Sequence, residues 1–168
     1  ISYLKCLPIK VISLDKVEAD DIMSYISKIT SQQENTKTYI VSADRDLLQL
    51  VNDKITIYSA MDKIFFTPQT VKEKYGIHPH NFLTYKIMMG DNSDKIPGIR
   101  GLGPKKLNKL FPELFEDKIV TLDDIYDICS NKYKEHKIYA QIILDFDDLL
   151  RNKKVMDLGN PMVDDNEQ

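Results

Sequence analysis

Cysteine is nearly missing from these 168 residues. Cys6 and Cys129 are far apart and fit no metal or redox spacing, so neither a zinc finger nor a disulfide scaffold is indicated. Buried thiols in a reducing compartment are the expectation. No apolar run approaches membrane length, so no membrane partner is expected, and no secretory leader is visible. Basic residues are not in excess: 23 Lys and Arg against 26 Asp and Glu leave a net charge of −3, unlike a sequence-independent DNA coat protein. That balance decides little, because acidic and basic residues can be segregated onto separate local patches of one surface. There is no internal repeat, no low-complexity segment and no aromatic ladder for stacking single-stranded bases. An initiator methionine is also lacking. The chain opens Ile1-Ser2-Tyr3 and runs almost at once into a strand-like segment, so it reads as a piece of something longer. What remains is ordinary: 42% apolar residues suffice for a core, and the length fits one domain, with or without a small appendage.

Glycine is scarce too, and three of the six lie together. The stretch from Gly90 to Leu110 reads GDNSDKIPGIRGLGPKKLNKL. Asp91 and Asp94 stand three apart in a polar turn able to hold a hard cation. Gly98, Gly101 and Gly103 follow, then Pro104, which suits the first turn of a helix. From Lys95 onward the basic residues are Lys95, Arg100, Lys105, Lys106 and Lys109, with no acid among them. A helix start offers free N–H groups and a positive dipole end to a phosphate. GIRGLG is a loose echo of the dinucleotide fingerprint, but helices flank it on both sides, so that reading fails on context.

Taken in order, Leu7–Leu14 is rich in β-branched residues and predicts a strand, with Pro8 limiting its start. Residues 18–33 carry Ile22, Ile26 and Ile29 at helical spacing, and Ile22 and Ile26 are expected to fix this helix against the core. Tyr39–Val41 predicts a buried strand, Asp44–Val51 a helix, and Ile55–Tyr58 with Ile64–Phe66 a pair of late strands. Strand, helix, strand, helix is the pattern of a parallel α/β sheet. From Pro68 the β signals fade. Helices are expected over 68–75 and 79–89, each opened by proline and stopped by glycine, then over 104–110, 123–129 and about 133–150. The expected organisation is residues 1–66 in an α/β unit, 67–151 in a helical subdomain and 152–168 as a frayed tail. His78 and His80 sit in a proline-containing turn and are expected to serve local structure.

The acids form three groups, each at an element end. Glu18, Asp20 and Asp21 open a helix, where the macrodipole alone would favour them. Asp44 and Asp46 follow a strand's C-terminal end, where parallel sheets bind ligands, although Ser42 or Asp44 would also serve as a helix cap. Asp91 and Asp94 could equally form an Asx turn. Together, with no histidine or cysteine among them, they make an oxygen-only ligand set that suits Mg²⁺ or Mn²⁺ better than zinc.

VEADDI, VSADRDLLQLV and MMGDNSDKIPGIRGLGPKK, in that order, resemble the 5′-nuclease family. That family includes the 5′→3′ exonuclease domain of bacterial DNA polymerase I, phage 5′-exonucleases and flap endonucleases. The resemblance implies an α/β fold: the later part of a mainly parallel, PIN-like sheet, joined to a helical subdomain with a helix–three-turn–helix motif. It implies that Glu18, Asp20, Asp21, Asp44, Asp46, Asp91 and Asp94 hold two divalent ions directly or through water, with Asp21, Asp44, Asp46, Asp91 and Asp94 carrying catalysis. It implies a duplex, 5′-flap, nicked or RNA–DNA substrate. Its backbone would be held by Lys95, Gly98, Arg100, Gly101, Gly103, Lys105, Lys106 and Lys109, with K⁺ on the hairpin carbonyls. It further implies a bacterial or phage-infected cytoplasm, and a missing N-terminal nuclease segment bearing another metal-binding Asp and a basic arch. The motifs depart where the family usually has DNIPG and GPKTA, since Lys95 and Lys106 stand there instead. Two other classes compete: a duplex-binding module with an incomplete metal site, and a receiver-type regulatory domain, which leaves the hairpin unexplained.

Overall fold

The computed structural model describes residues 4–160. Its sheet has three strands, β1 (Thr38–Val41), β2 (Ile55–Ser59) and β3 (Ile64–Phe66). β1 and β2 run parallel, with Ile40 opposite Ile57, and β3 returns antiparallel along β2 as the expected hairpin. β2 buries Ile55, Ile57 and Ser59 on one face, the period of two that a half-covered sheet requires. A 3-10 turn over Asp46–Leu50 takes the place of the helix expected after β1, and drives Leu47 and Leu48 fully into the core under the sheet.

The helices follow. α1 (Ala19–Ser31) precedes the sheet, and α2 (Pro68–Tyr75) begins at a Thr67 capping box and stops at Gly76, whose φ is +74°. α3 (Phe82–Met89) ends at Gly90 and leads into a short ladder of β4 (Gly90–Asp91) against β5 (Ile96–Pro97). α4 (Pro104–Leu110), α5 (Leu122–Lys132), α6 (Lys137–Leu144) and α7 (Phe146–Met156) follow among the described residues. One apolar cluster lies under the sheet and includes Val71, Phe82 and Leu158. A larger one fills the helical part, from Ile87 and Met88 through Phe111, Ile125 and Ile142 to Met156. α3 bridges the two, with Phe82 in the first and Ile87 in the second.

The strand expected to be buried over Tyr39–Val41 buries only Ile40, with Tyr39 and Val41 exposed, and five further expectations need correction. Residues 7–14 form no strand. They pair with nothing among the described residues, β1 is the sheet's edge, and Leu7, Ile9, Val11 and Ile12 stay 40–52% exposed. Strand propensity without a neighbouring strand forms no ladder. Of its isoleucines, α1 half-buries only Ile22. It presses Ser24 and Ser27 inward and leaves Ile26 and Ile29 exposed, because the small side chains permit close approach and both hydroxyls find carbonyls, Ser27 on Met23 and Ser24 on Leu158. Ile26→Ala is therefore expected to cost about 0.5 kcal/mol or less. Ile142→Ala, in the helical core, is expected to cost about 2–5 kcal/mol. Paired urea titrations would read the contrast.

The long final helix is broken. Asp145 leaves helical geometry (φ −92°, ψ 10°), takes a hydrogen bond from Gln141 and serves as N-cap of α7. The Asp145 side chain makes no cap bond to α7, so the break rests on the backbone geometry there. The tail expected from Asn152 starts later, since α7 continues past that residue, and the end expected to fray, residues 161–168, lies outside the described residues. α7 runs to Met156, Leu158 is buried, and Gln49 binds both the Met156 carbonyl and the Leu158 N–H. Finally, the two thiols differ. Cys129 is fully buried, which pushes its thiol up to about 12, whereas Cys6 is exposed. Ellman's reagent at pH 8 should label Cys6 in the folded protein and reach Cys129 only on unfolding.

Candidate active site

The α1 start, the turn after β1 and the β4–β5 turn all open into one cleft of about 1020 Å³. Glu18, Asp20, Asp21, Asp44, Asp46, Asp91 and Asp94 all line it. With Asp157 they make eight acidic side chains, against four basic ones: Lys16, Arg45, Lys86 and Lys154. So negative a wall attracts cations.

Each acid is placed by local structure. Glu18 is the N-cap of α1 but makes no side-chain cap bond, so helix capping does not account for its carboxylate. Asp44 does act locally, accepting the Asp46 N–H at 2.8 Å, and Ser42 accepts the Asp44 N–H at 3.0 Å. This turn aims Asp46 into the cleft from the start of the 3-10 segment. Asp91 is the last residue of β4. It accepts hydrogen bonds from the Ser93 N–H at 2.8 Å and from the Ser93 hydroxyl, the expected Asx-type turn. Asp94 lies exposed in the same turn, which closes with Lys95 at φ +58°.

Among the described residues, Asp46, Asp91 and Asp94 each offer a carboxylate oxygen within 4.8 Å of the others, close enough to share one cation. Oxygen-only donors at that spacing fit a hard divalent ion. Glu18, Asp20, Asp21, Asp44 and Asp157 line the cleft without joining this tight group.

Lys86 is the residue that sequence reasoning missed. It is the single charge on the otherwise apolar α3, LTYKIMM in its last turns, and that isolation was the available signal. Its Nζ lies 2.5 Å from Asp46 Oδ1 and also pairs with Asp91. Burial works to lower the Lys86 ammonium's pKa, but hydrogen bonds to the two carboxylates outweigh it and the net shift is upward. Lys86 and Ser93 hold the Asp91 carboxyl far below the usual range. Asp46 moves the other way: burial raises it, and Asp44 and Asp91 add repulsion that Lys86 only partly offsets.

Beside the cleft, Gly90 and Gly98 let two backbones touch. A β-carbon on Gly98 would lie 2.2 Å from the Met89 carbonyl carbon and oxygen. Gly98 therefore packs the ladder that carries Asp91. The turn beyond is open. Gly101 (φ +79°) and Gly103 have no atom within 4 Å of where a β-carbon would stand. Lys95, Arg100, Lys105, Lys106 and Lys109 are exposed around it, and Lys106 donates to the Gly101 carbonyl at 2.9 Å. His78 stacks on His80 at 3.9 Å and caps the 3-10 turn of Pro79–Asn81, a local structural role.

Residues 2–76 match the family model for the 5′–3′ exonuclease N-terminal resolvase-like domain. DNA polymerase I of Bacillus subtilis (strain 168) is 37% identical over 126 residues, 73% of this chain and 14% of that protein. The 5′–3′ exonuclease of Aquifex aeolicus (strain VF5) is 38% identical over 102 residues, 61% of this chain and 35% of that one. The chain belongs to the 5′-nuclease family.

It spans well under half the length of these curated relatives. The 5′-nuclease fold is recognisable across nearly all of it. The T5 D15 protein co-crystallised with metal ions superposes with a TM-score of 0.77 at 23% identity, over 93% of this chain and 55% of that one. The bacteriophage T5 D15 flap endonuclease in a pseudo-enzyme–product complex with DNA and metal ions superposes at 0.75, also at 23% identity, over 94% and 56%. The α/β class expected from the strand order stands, with the PIN-like fold of these neighbours. No helix among the described residues is long and apolar enough to cross a membrane.

Proposed function

We propose that the chain acts in metal-dependent hydrolysis of phosphodiester bonds, as a structure-dependent 5′→3′ exonuclease or flap endonuclease on DNA or on an RNA primer paired with DNA. Replication and repair are the processes in which such ends arise. One observation carries the reading: three acidic stretches far apart in sequence reach a single cleft, and three of their carboxylates close to within 4.8 Å.

Asp46, Asp91 and Asp94 would hold one Mg²⁺ or Mn²⁺ ion, and Glu18, Asp20, Asp21 and Asp44 would serve a second ion, in part through water. Divalent ions there would polarise a phosphoryl oxygen and make water a stronger nucleophile. The chain's own groups do the positioning. Ser93 orients the Asp91 carboxylate, and Asp44 fixes the turn that presents Asp46. Arg100, Lys105 and Lys109 lie around the glycine turn, exposed and free to meet backbone phosphates. The bare space over Gly101 and Gly103 leaves room for close approach. The T5 neighbours were crystallised with metal ions and, in one case, with DNA, in keeping with this reading. A monovalent cation on the hairpin carbonyls would share them with Lys106, which already covers that of Gly101.

These contacts position the backbone and read no base. Binding should therefore ignore sequence and weaken steeply with salt. Lys105→Ala with Lys109→Ala removes two such contacts, so the slope of log affinity on log salt should flatten by about 1.8, at about 0.9 per phosphate. An unchanged slope would remove these lysines from the interface.

The reading itself is tested by Mn²⁺ calorimetry alongside Mg²⁺-dependent cleavage of an end-labelled 5′-flap duplex. Mn²⁺ binding, with at most weak release of a 5′ product by this chain alone, is the expected result. Duplex binding without any Mn²⁺ binding would overturn it in favour of a non-catalytic DNA-binding module.

A further inference from the structure

Lys86 occupies the place where a cation is expected. Two of the three close carboxylates, those of Asp46 and Asp91, are ion-paired to its ammonium, and only Asp94 stands outside that pairing. The arrangement is built into the fold rather than loosely draped over it. Lys86 is 17% exposed, Asp46 21% and Asp91 13%, and the next two residues of α3, Ile87 and Met88, are fully buried. The helix thus fixes where the lysine stem starts, and the stem reaches only into the cleft.

A carboxylate oxygen satisfied by an ammonium at 2.5 Å cannot at the same time give its full charge to a divalent ion. We propose that Lys86 is a resident counter-cation that competes with the divalent metal for Asp46 and Asp91, so that metal loading requires its release. This rests on the metal-binding reading given above and adds a positioning role for a residue outside the ligand set. The competition has two consequences. In the metal-free protein, Lys86 neutralises a pair of half-buried carboxylates that would otherwise repel each other. On loading, the exchanged ammonium is freed on the cleft wall, where it raises the local positive potential along with the metal. Metal and polyanion binding are then positively coupled, each strengthening the other by the same factor.

The test uses the chain with Mn²⁺ as probe, read by calorimetry, in Lys86→Met and Lys86→Arg variants. Methionine keeps much of the stem and removes the competitor. Lys86→Met is expected to bind Mn²⁺ at least about tenfold tighter than wild type and to melt earlier in EDTA. Lys86→Arg, whose planar fork suits carboxylates, should bind Mn²⁺ more weakly than Lys86→Met. Equal or weaker Mn²⁺ binding by Lys86→Met, with wild type still binding, overturns the competition and leaves the metal site standing. No Mn²⁺ binding by either protein overturns the metal reading on which it rests. Should Lys86→Met fail to fold, the native protein labelled with ¹⁵N-lysine gives the answer directly. The Lys86 Nζ resonance, assigned by its absence in Lys86→Arg, should move from an ion-paired to a solvated position as Mg²⁺ is added. A resonance that does not move at saturating Mg²⁺ contradicts the exchange.

Discussion

Asp91→Asn is expected to reduce divalent-ion affinity by more than about 100-fold and to abolish Mg²⁺-dependent flap cleavage. Loss of a group that merely supports a metal ligand typically costs 10–100-fold, so loss of a charged ligand should exceed that range. The substitution is nearly isosteric, and the amide oxygen can still accept from the Ser93 N–H, so the turn should survive. What disappears is one of the three converging charges, together with half of the Lys86 ion pairing. Calorimetry with Mn²⁺ and cleavage of a labelled flap read the two effects separately. Near wild-type affinity in a folded Asp91→Asn protein would remove Asp91 from the metal site.

Stability should respond to the same change in a pH-dependent way. The Asp91 carboxyl is held below its usual range by Lys86 and Ser93, so its folded value lies beneath the unfolded one of about 3.9. Such a group stabilises the fold above the unfolded value, and that contribution is lost as pH falls toward the folded one. In EDTA, the stability gap between wild type and Asp91→Asn is therefore expected to be full at pH 6 and to narrow below about pH 4. Urea midpoints at both pH values check the sign.

Much of this architecture was legible where local chemistry and tertiary packing agree. α2 begins and ends at the residues its proline and glycine signals mark, α4 begins at Pro104 as expected, and the two late strands pair as β2 and β3. The cleft was legible for a different reason. Each acidic group has a structural use of its own at its element end, but three such groups in one chain, with no histidine or cysteine among them, point to convergence. What stayed hidden depends on neighbours. Nothing in Ile22, Ile26 and Ile29 says that Ser24 and Ser27 will take the inner face, because that choice rests on Leu158, 134 residues away from Ser24. The break at Asp145 hides in a helical period that continues across it. Lys86 hides because a lone lysine in an apolar helix acquires meaning only once Asp46 and Asp91 are seen to close on it.

Gly98→Ala is expected to cost about 3 kcal/mol or more, and to weaken metal binding without touching any carboxylate. The added methyl would stand 2.2 Å from the Met89 carbonyl carbon and oxygen and 2.6 Å from the Gly90 nitrogen. All three are backbone atoms, so no side chain can rotate away, and overpacking that ordinarily costs about 1–3 kcal/mol should sit at or above the top of its range. Relief requires β5 to move from β4, and β4 ends in Asp91, paired with Ile96 across the ladder. A shift there carries the Asp91 carboxylate away from Asp46. Gly103→Ala is the control. Gly103 has ordinary extended geometry (φ −107°) and open space over its α-carbon, so its change should stay within about 1 kcal/mol. Urea unfolding and Mn²⁺ calorimetry on both variants make the comparison. If Gly98→Ala matched Gly103→Ala in stability and metal affinity, the close approach of Gly98 to Met89 and Gly90 would not be what holds Asp91 in place.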